Sequence, residues 1–479
     1  MAAVRPPRAL PRYREIYQRI RASVEDGVLR PGDRIASART LAVEFNVARG
    51  TVDTALALLA GEGFIVARSR RGAVVSPTLP AAAARPAAQA RRRSRPAIAP
   101  PPYQYMYKDP LPLRPGLPGL DLFPRKLWSQ LVARHARRSQ PAQLSYQDPL
   151  GSMELRTAIA AYLTVARGVA CAPEEVIITG GFVGGLALVL RAMTMPGAQA
   201  WVERPGFRFT ERAVFASGVR PVDVPVDEEG IDVAAGVAAA PNATLAVVAP
   251  ANQYPLNVSL SLRRRMALLD WAQSCGGWVV EDDYSGEFRY DGWPLPSLKS
   301  LDRDDRVFYI GTFSKTLFPS LRLGYMVAPA SQYARLRELV QLVESGRPAL
   351  EQAVLAEFIA DGHFARHIKR MRSAYRARGA ALAAALDEVF QGRFSTRPTA
   401  GGLHLIADLV GDPDDVVLAR AATAGGLGPA ALSPMMPADD RRRALILGFG
   451  HVPEDQALAI TRRLQSLLPP AAQPRRAAG

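Results

Sequence analysis

Apolar residues recur every fourth position at Ile16, Ile20 and Val24, which places them on one face of a helix over residues 13–25. Gly27 ends that pattern, and residues 29–35 read as a turn. Ser37 is placed to cap a second helix running through Leu41 and Phe45. A three-residue break, Asn46-Val47-Ala48, separates it from a third helix over residues 49–61. Two short apolar runs, residues 63–68 and 72–75, then flank the basic Ser69-Arg70-Arg71 and predict a β-hairpin. Helix, tight break, helix and basic hairpin together read as a winged helix-turn-helix.

Beyond about Pro115 the pattern changes. Continuous apolar runs at residues 176–178, 200–202, 245–248, 278–280, 307–310 and 325–327 alternate with long helical stretches. Runs buried on both faces, with helices between them, predict an α/β domain with a mainly parallel, doubly wound sheet. A helical stretch near Arg347 leads into further strands at 402–409 and 444–449, expected to form a small C-terminal subdomain. Residues 78–102 are mostly Ala, Pro and Arg and form no core, so they read as a semi-stiff basic linker. The expected organisation is a winged helix-turn-helix at 11–77, the linker at 78–102 and a large domain at 103–470.

Composition narrows the class. A chain of 479 residues exceeds one ordinary core, and 48% hydrophobic with 22% charged residues fits a globular protein. Among the longest apolar runs is 182–190, which holds two glycines and is too short to cross a bilayer. The first fourteen residues, broken by prolines and arginines, lack a signal-peptide core, so a cytoplasmic location with no membrane partner is expected. Cys171 and Cys275 have no metal-binding spacing and form no disulfide framework, and five scattered histidines suggest no zinc site; no metal is expected. The net charge of +16 is uneven: residues 1–77 hold thirteen Arg against seven Asp/Glu, and residues 78–102 add five Arg and no acid. Such a basic N-terminal module suits double-stranded DNA.

The chemistry gathers at predicted strand ends. Lys315 follows the run 307–310 within Gly311-Thr312-Phe313-Ser314-Lys315, where a lysine amine meets the pocket beyond a parallel sheet. The run 278–280 leads likewise into Glu281-Asp282-Asp283-Tyr284. An aldehyde cofactor needs a lysine for its Schiff base, here Lys315, and a carboxylate that keeps its pyridine nitrogen protonated, here Asp282. Its phosphate needs hydroxyls, amides and a forked arginine, which Thr312, Ser314 and Arg322 supply. Thr179-Gly180-Gly181-Phe182 opens a helix after a strand, so its amides add a phosphate cradle. Lysine, acid and phosphate set together point to pyridoxal 5'-phosphate.

These motifs resemble those of fold-type I aminotransferases, and residues 11–468 as a whole resemble the MocR-type regulators of the GntR superfamily. The resemblance implies that Phe207 stacks on the pyridine ring, that Tyr284 contacts its ring oxygen and that Tyr254 lies near the same edge. It implies that Tyr146 reaches the phosphate of a partner subunit, hence a homodimer with shared sites and a possible swap of winged helices. In the N-terminal module it assigns DNA contacts to Arg34, Arg39, Arg49, Thr51, Arg70, Arg71 and Gly72. The sequence departs from the family in several places. Ala48 and Gly50 stand where a serine or asparagine is usual, and Phe182 where a hydroxyl is usual. Leu256-Asn257 replaces the usual threonine-glycine after Pro255. Above all, Ile446 occupies the place of the arginine that grips a substrate carboxylate, an anchor worth about 1.5–3 kcal/mol per charge-assisted hydrogen bond.

The expected function is therefore a DNA-binding transcriptional regulator, not an enzyme, whose large domain senses pyridoxal phosphate or an amine or amino-acid effector through Lys315. The alternative is a working aminotransferase with a DNA-binding appendage. Ile446 counts against the alternative.

Overall fold

The computed structural model describes residues 11–68, 72–79, 110–290, 296–344, 346–397, 399–411, 413–437, 440 and 442–468. The chain divides into two compact units, Met1–Lys108 and Asp109–Gly479.

In the first unit, α1 (Arg12–Glu25), α2 (Ala38–Glu44) and α3 (Arg49–Gly61) precede the antiparallel strands β1 (Ile65–Arg68) and β2 (Gly72–Val75). The four-residue spacing in α1 does what it predicts: Ile16, Ile20 and Val24 are buried against Leu41, Val52, Ala55, Leu59 and Phe64. Ser37 caps α2, its Oγ accepting from the Thr40 amide at 3.1 Å. Ala48, the N-cap of α3, offers no side-chain cap. Strand register runs from Ile65 opposite Val75 to Arg68 opposite Gly72. The predicted wing tip with Arg70 and Arg71, and nearly all of the linker, lie outside the described residues.

The second unit holds β3 (Val176–Thr179), β4 (Gln199–Arg204), β5 (Arg220–Asp227), β6 (Gly230–Ile231), β7 (Leu245–Val248), β8 (Trp278–Asp283), β9 (Val307–Thr312) and β10 (Gly324–Val327). They form one sheet in the order β3-β10-β9-β8-β7-β4-β5-β6. Pairings among β5, β4, β7, β8 and β9 are parallel, whereas β10 runs against both its neighbours and β6 against β5. The sheet is thus mainly parallel, with the segment around Tyr325 reversed. Alternate residues feed opposite faces: Val280 packs with Phe308 and Met326 on one side, Val279 with Trp271 and Val307 on the other. That two-sided burial is why the strands read as unbroken apolar runs.

A second, antiparallel sheet comprises β11 (Phe394–Thr396), β12 (His404–Leu409), β13 (Ala430–Ala431) and β14 (Ala444–Gly448) in the order β11-β12-β14-β13. Leu405, Leu445 and Leu447 join the core that includes the helices His363–Phe390 and Ala457–Leu467. Its opposite face presents Ile406 and Ile446, paired in register, to Tyr254 and Leu256 of the large sheet's loops.

The main sheet brings the motifs to one edge. Because β10 is reversed, Gly324 sits opposite both Thr179 and Thr312, the last residues of their strands. A Cβ at Gly324 would stand 2.7 Å from the Gly181 Cα and 2.8 Å from the Gly311 carbonyl, so only glycine lets these turns close up.

Candidate cofactor site and DNA-facing module

Lys315 follows β9 by three residues, and its Nζ donates to the Gly116 carbonyl at 2.8 Å. Segment 115–117, far away in sequence, therefore lies over the lysine. Burial pushes the amine down to about 8, against the pull of Asp282. The amine is thus far more often neutral near pH 7 than that of a solvated lysine.

The three carboxylates ending β8 have different fates, set by strand alternation. Glu281 accepts the Leu298 and Lys299 amides, both at 2.8 Å, and burial raises it to about 7. Asp283 accepts Arg167 Nε at 2.7 Å, the Tyr309 hydroxyl and the Gly286 amide. Asp282, on the other face, is 7% exposed and its Oδ1 has no hydrogen-bond partner among the described residues. Burial first, then the charges of Asp283 and Glu203, hold its carboxyl well above the usual range. A buried carboxylate oxygen left unpaired costs free energy unless a donor arrives. A protonated pyridine nitrogen is such a donor, so the pair of Asp282 and Lys315 fits pyridoxal phosphate.

The phosphate set also converges. Thr312 Oγ1 accepts the Ser314 amide at 3.2 Å and lies 3.8 Å from where a Cβ of Gly181 would be. Arg322 Nη2 donates to the Gly180 carbonyl at 3.1 Å. Gly181, at φ 84°, begins the helix Phe182–Met193, whose first amides face outward in need of an acceptor. Beside this cradle the rings of Phe182 and Phe207 lie 6.5 Å apart, and Tyr254 meets Phe207 edge-on at 6.1 Å. Asn252 Nδ2 donates to the Tyr284 hydroxyl at 3.1 Å. Tyr146 is 98% exposed and joins none of these groups within the chain.

The facing wall is apolar. Ile446 is fully buried among Ile406, Leu432, Met436 and Ala444, with Tyr254 and Leu256 packed on them. Of the other arginines considered for a carboxylate grip, Arg208 and Arg441 to Arg443, Arg442 is paired with Asp408 at 2.7 and 3.0 Å, Arg443 is half-buried, Arg208 is exposed and Arg441 lies outside the described residues. The polar member of this wall is His404, 5.3 Å from the Tyr254 ring, its Nε2 donating to the Pro255 carbonyl at 2.8 Å. Burial lowers it to about 4, with Lys315 adding to the effect, so the imidazole is neutral at physiological pH.

Sequence reasoning missed four residues here. Glu203 ends an apolar run as Asp282 does, so the same rule finds it; it accepts the Ala249 amide at 3.2 Å and burial lifts it to about 7. Gly116, His404 and Arg347, the last packed on Gly180, give no local signal.

In the winged module, Arg34, Arg39 and Arg49 are exposed and Thr51 is half-buried in the first turn of α3. Arg49 pairs loosely with Asp53 at 3.6 Å, a surface contact of small energetic weight. Gly72 opens β2.

Helix-turn-helix, hairpin and an aminotransferase-type cofactor site define a class of fused DNA-binding and cofactor-binding proteins, and sequence comparison agrees. Residues 12–75 match the bacterial regulatory proteins of the gntR family, and residues 124–422 match aminotransferase class I and II. The chain is 32% identical to the probable rhizopine catabolism regulatory protein MocR of Rhizobium meliloti, over 92% of this chain and 91% of that one. It is 34% identical to the pyridoxine biosynthesis transcriptional regulator PdxR of Corynebacterium glutamicum, over 92% of each. Among solved structures it resembles LysN, an α-aminoadipate aminotransferase from Thermus thermophilus, with a TM-score of 0.67, 28% identity, and coverage of 75% of this chain and 92% of that one. The chain belongs to the MocR-type transcriptional regulators, with a GntR-type DNA-binding module and an aminotransferase-like domain, and its cofactor is pyridoxal phosphate.

Proposed function

We propose that the large domain is a sensor and not a working transaminase, and that Lys315 is the residue through which it reads its ligand. Bound there as a Schiff base, pyridoxal phosphate supplies an electron-withdrawing ring. Lys315, its amine lowered toward neutrality, offers the nucleophile; Asp282 accepts the ring N–H; Tyr284 and Asn252 face the ring oxygen; Phe207 covers one face. Gly180, Gly181, Phe182, Thr312, Ser314 and Arg322 take the phosphate, and Tyr146, fully exposed on its own chain, reaches the phosphate of a second subunit.

The observation that carries this reading is the buried apolar cluster around Ile446, where a transaminase needs a cation for its substrate carboxylate. A site without that anchor binds amino acids too weakly for efficient turnover. The same observation favours the cofactor itself as the signal, since free amino acids would not strip it from Lys315. The likeness to a regulator of pyridoxine biosynthesis supports this version. Either signal acts only if it binds two arrangements of the protein with different affinity, changing how Arg34, Arg39, Arg49, Thr51 and the wing around Gly72 meet an operator. The test is a steady-state assay with several amino donors and keto acids: fewer than one turnover per site supports a sensor, and sustained turnover supports the enzyme.

A further inference from the structure

We infer that Arg347 is a second phosphate-binding guanidinium, held in reserve by Glu344. The inference rests on the cofactor reading above and extends it to a residue outside every motif.

Three observations converge on it. The guanidinium lies flat on Gly180: a Cβ there would meet Nη2 at 3.3 Å, Nη1 at 3.4 Å and Cζ at 3.5 Å. Glycine at 180 is thus what admits this side chain to the turn whose carbonyl Arg322 already holds at 3.1 Å. Secondly, Arg347 Nη2 donates to Glu344 Oε2 at 2.8 Å, and both side chains are about a quarter exposed, so the pair can open without exposing buried charge. Thirdly, the charges do not balance without it. A phosphate monoester carries about −1.5 to −2 near pH 7. Arg322 brings one positive charge, Arg347 is neutralised by Glu344, and Phe182 lacks a hydroxyl to share the load. When the phosphate arrives it competes with the partly exposed Glu344 carboxylate for Arg347, and its tighter charge and three acceptor oxygens favour it.

The backbone gives this exchange a route outward. Arg347 precedes the helix Ala349–Ala360; its carbonyl accepts Gln352 Nε2 at 2.9 Å, and Gln352 Oε1 accepts the Ser152 amide at 2.8 Å. A Cβ at neighbouring Gly346 would lie 3.7 Å from the carbonyls of Gln147 and Asp148, next to Tyr146. Arg347 thus sits between the phosphate turn and the segment that reaches a second subunit.

The test compares dissociation constants of pyridoxal phosphate and of pyridoxal, which lacks the phosphate, in the full-length protein, by tryptophan-fluorescence quenching. Arg347→Gln is expected to weaken pyridoxal phosphate roughly 10- to 100-fold, as befits one lost charge-assisted contact, while leaving pyridoxal unchanged. Glu344→Gln, which frees Arg347, is expected to tighten pyridoxal phosphate several-fold, a gain that a damaged fold would not produce. If both variants leave the ratio of the two constants unchanged while the Schiff-base absorption still forms, the assignment of Arg347 is overturned and the Lys315 reading stands. If the parent protein forms no such absorption, the Lys315 reading falls and this inference with it.

Discussion

The two walls of the site are built to different standards. On the main-sheet side the lysine, the acid and the phosphate turn converge, and Asp282 is left buried with an oxygen that has no partner among the described residues. On the small-sheet side the corresponding wall is finished without a ligand: Ile406, Leu432, Met436, Ala444 and Ile446 fill one another's contacts. A buried carboxylate oxygen beside the lysine suits a ligand's donor, whereas a packed apolar cluster offers a carboxylate nothing to bond. The difference separates holding the cofactor from gripping a substrate, and it is the contrast on which the proposed sensor role rests.

Four changes would sharpen or break that contrast. Lys315→Ala should abolish the Schiff-base absorption of added pyridoxal phosphate entirely; persistence of the band in the variant would move the anchor elsewhere. Ile446→Arg should not restore a carboxylate grip, because it buries a charge in an apolar cluster. A loss of about 2–5 kcal/mol is expected, read as a lower unfolding midpoint. An Ile446→Arg protein of parental stability that turns over amino acids would show the wall to be merely short of one residue.

Asp282→Asn should weaken pyridoxal phosphate by roughly 10- to 100-fold, the scale of one charge-assisted hydrogen bond, yet stabilise the ligand-free protein. The sign follows from the raised carboxyl: its folded pKa lies above the unfolded value, so ionisation costs stability as pH rises above about 4, and asparagine escapes that cost. Denaturation of both proteins between pH 4 and 8 checks this, and a parent that gains on the variant with rising pH contradicts it.

The smallest expected effect is kinetic. Only neutral Lys315 attacks, so capture of pyridoxal phosphate should speed up about tenfold per pH unit and level off above about 8, the value to which burial brings the amine. A stopped-flow profile still rising at pH 10 would mean that the amine is not enclosed.

Much of this was legible in the sequence because buried strands write themselves as apolar runs, and a parallel sheet puts its chemistry at their ends. Lys315, Asp282 and the Gly180-Gly181 turn stand at such ends, and the helices of the winged module follow from the spacing of Ile16, Ile20 and Val24 and the cap at Ser37. Asp282, not Glu281 or Asp283, was the acid expected from the family resemblance; the physical reason, that partners occupy the other two while Asp282 keeps an unpaired oxygen, comes only from the fold. Gly116 above Lys315, His404 beside Tyr254 and Arg347 on Gly180 are contacts between segments remote in sequence, and no local pattern encodes them.

The most direct test of the contrast is an absorption record of the protein loaded with pyridoxal phosphate, followed during addition of L-alanine or L-glutamate with a keto acid. The two-wall account predicts a Schiff-base band that depends on Lys315 and survives these additions, with product below one equivalent per site. A band that collapses and returns while keto-acid product accumulates over many equivalents would contradict it, and the domain would then be a functioning aminotransferase.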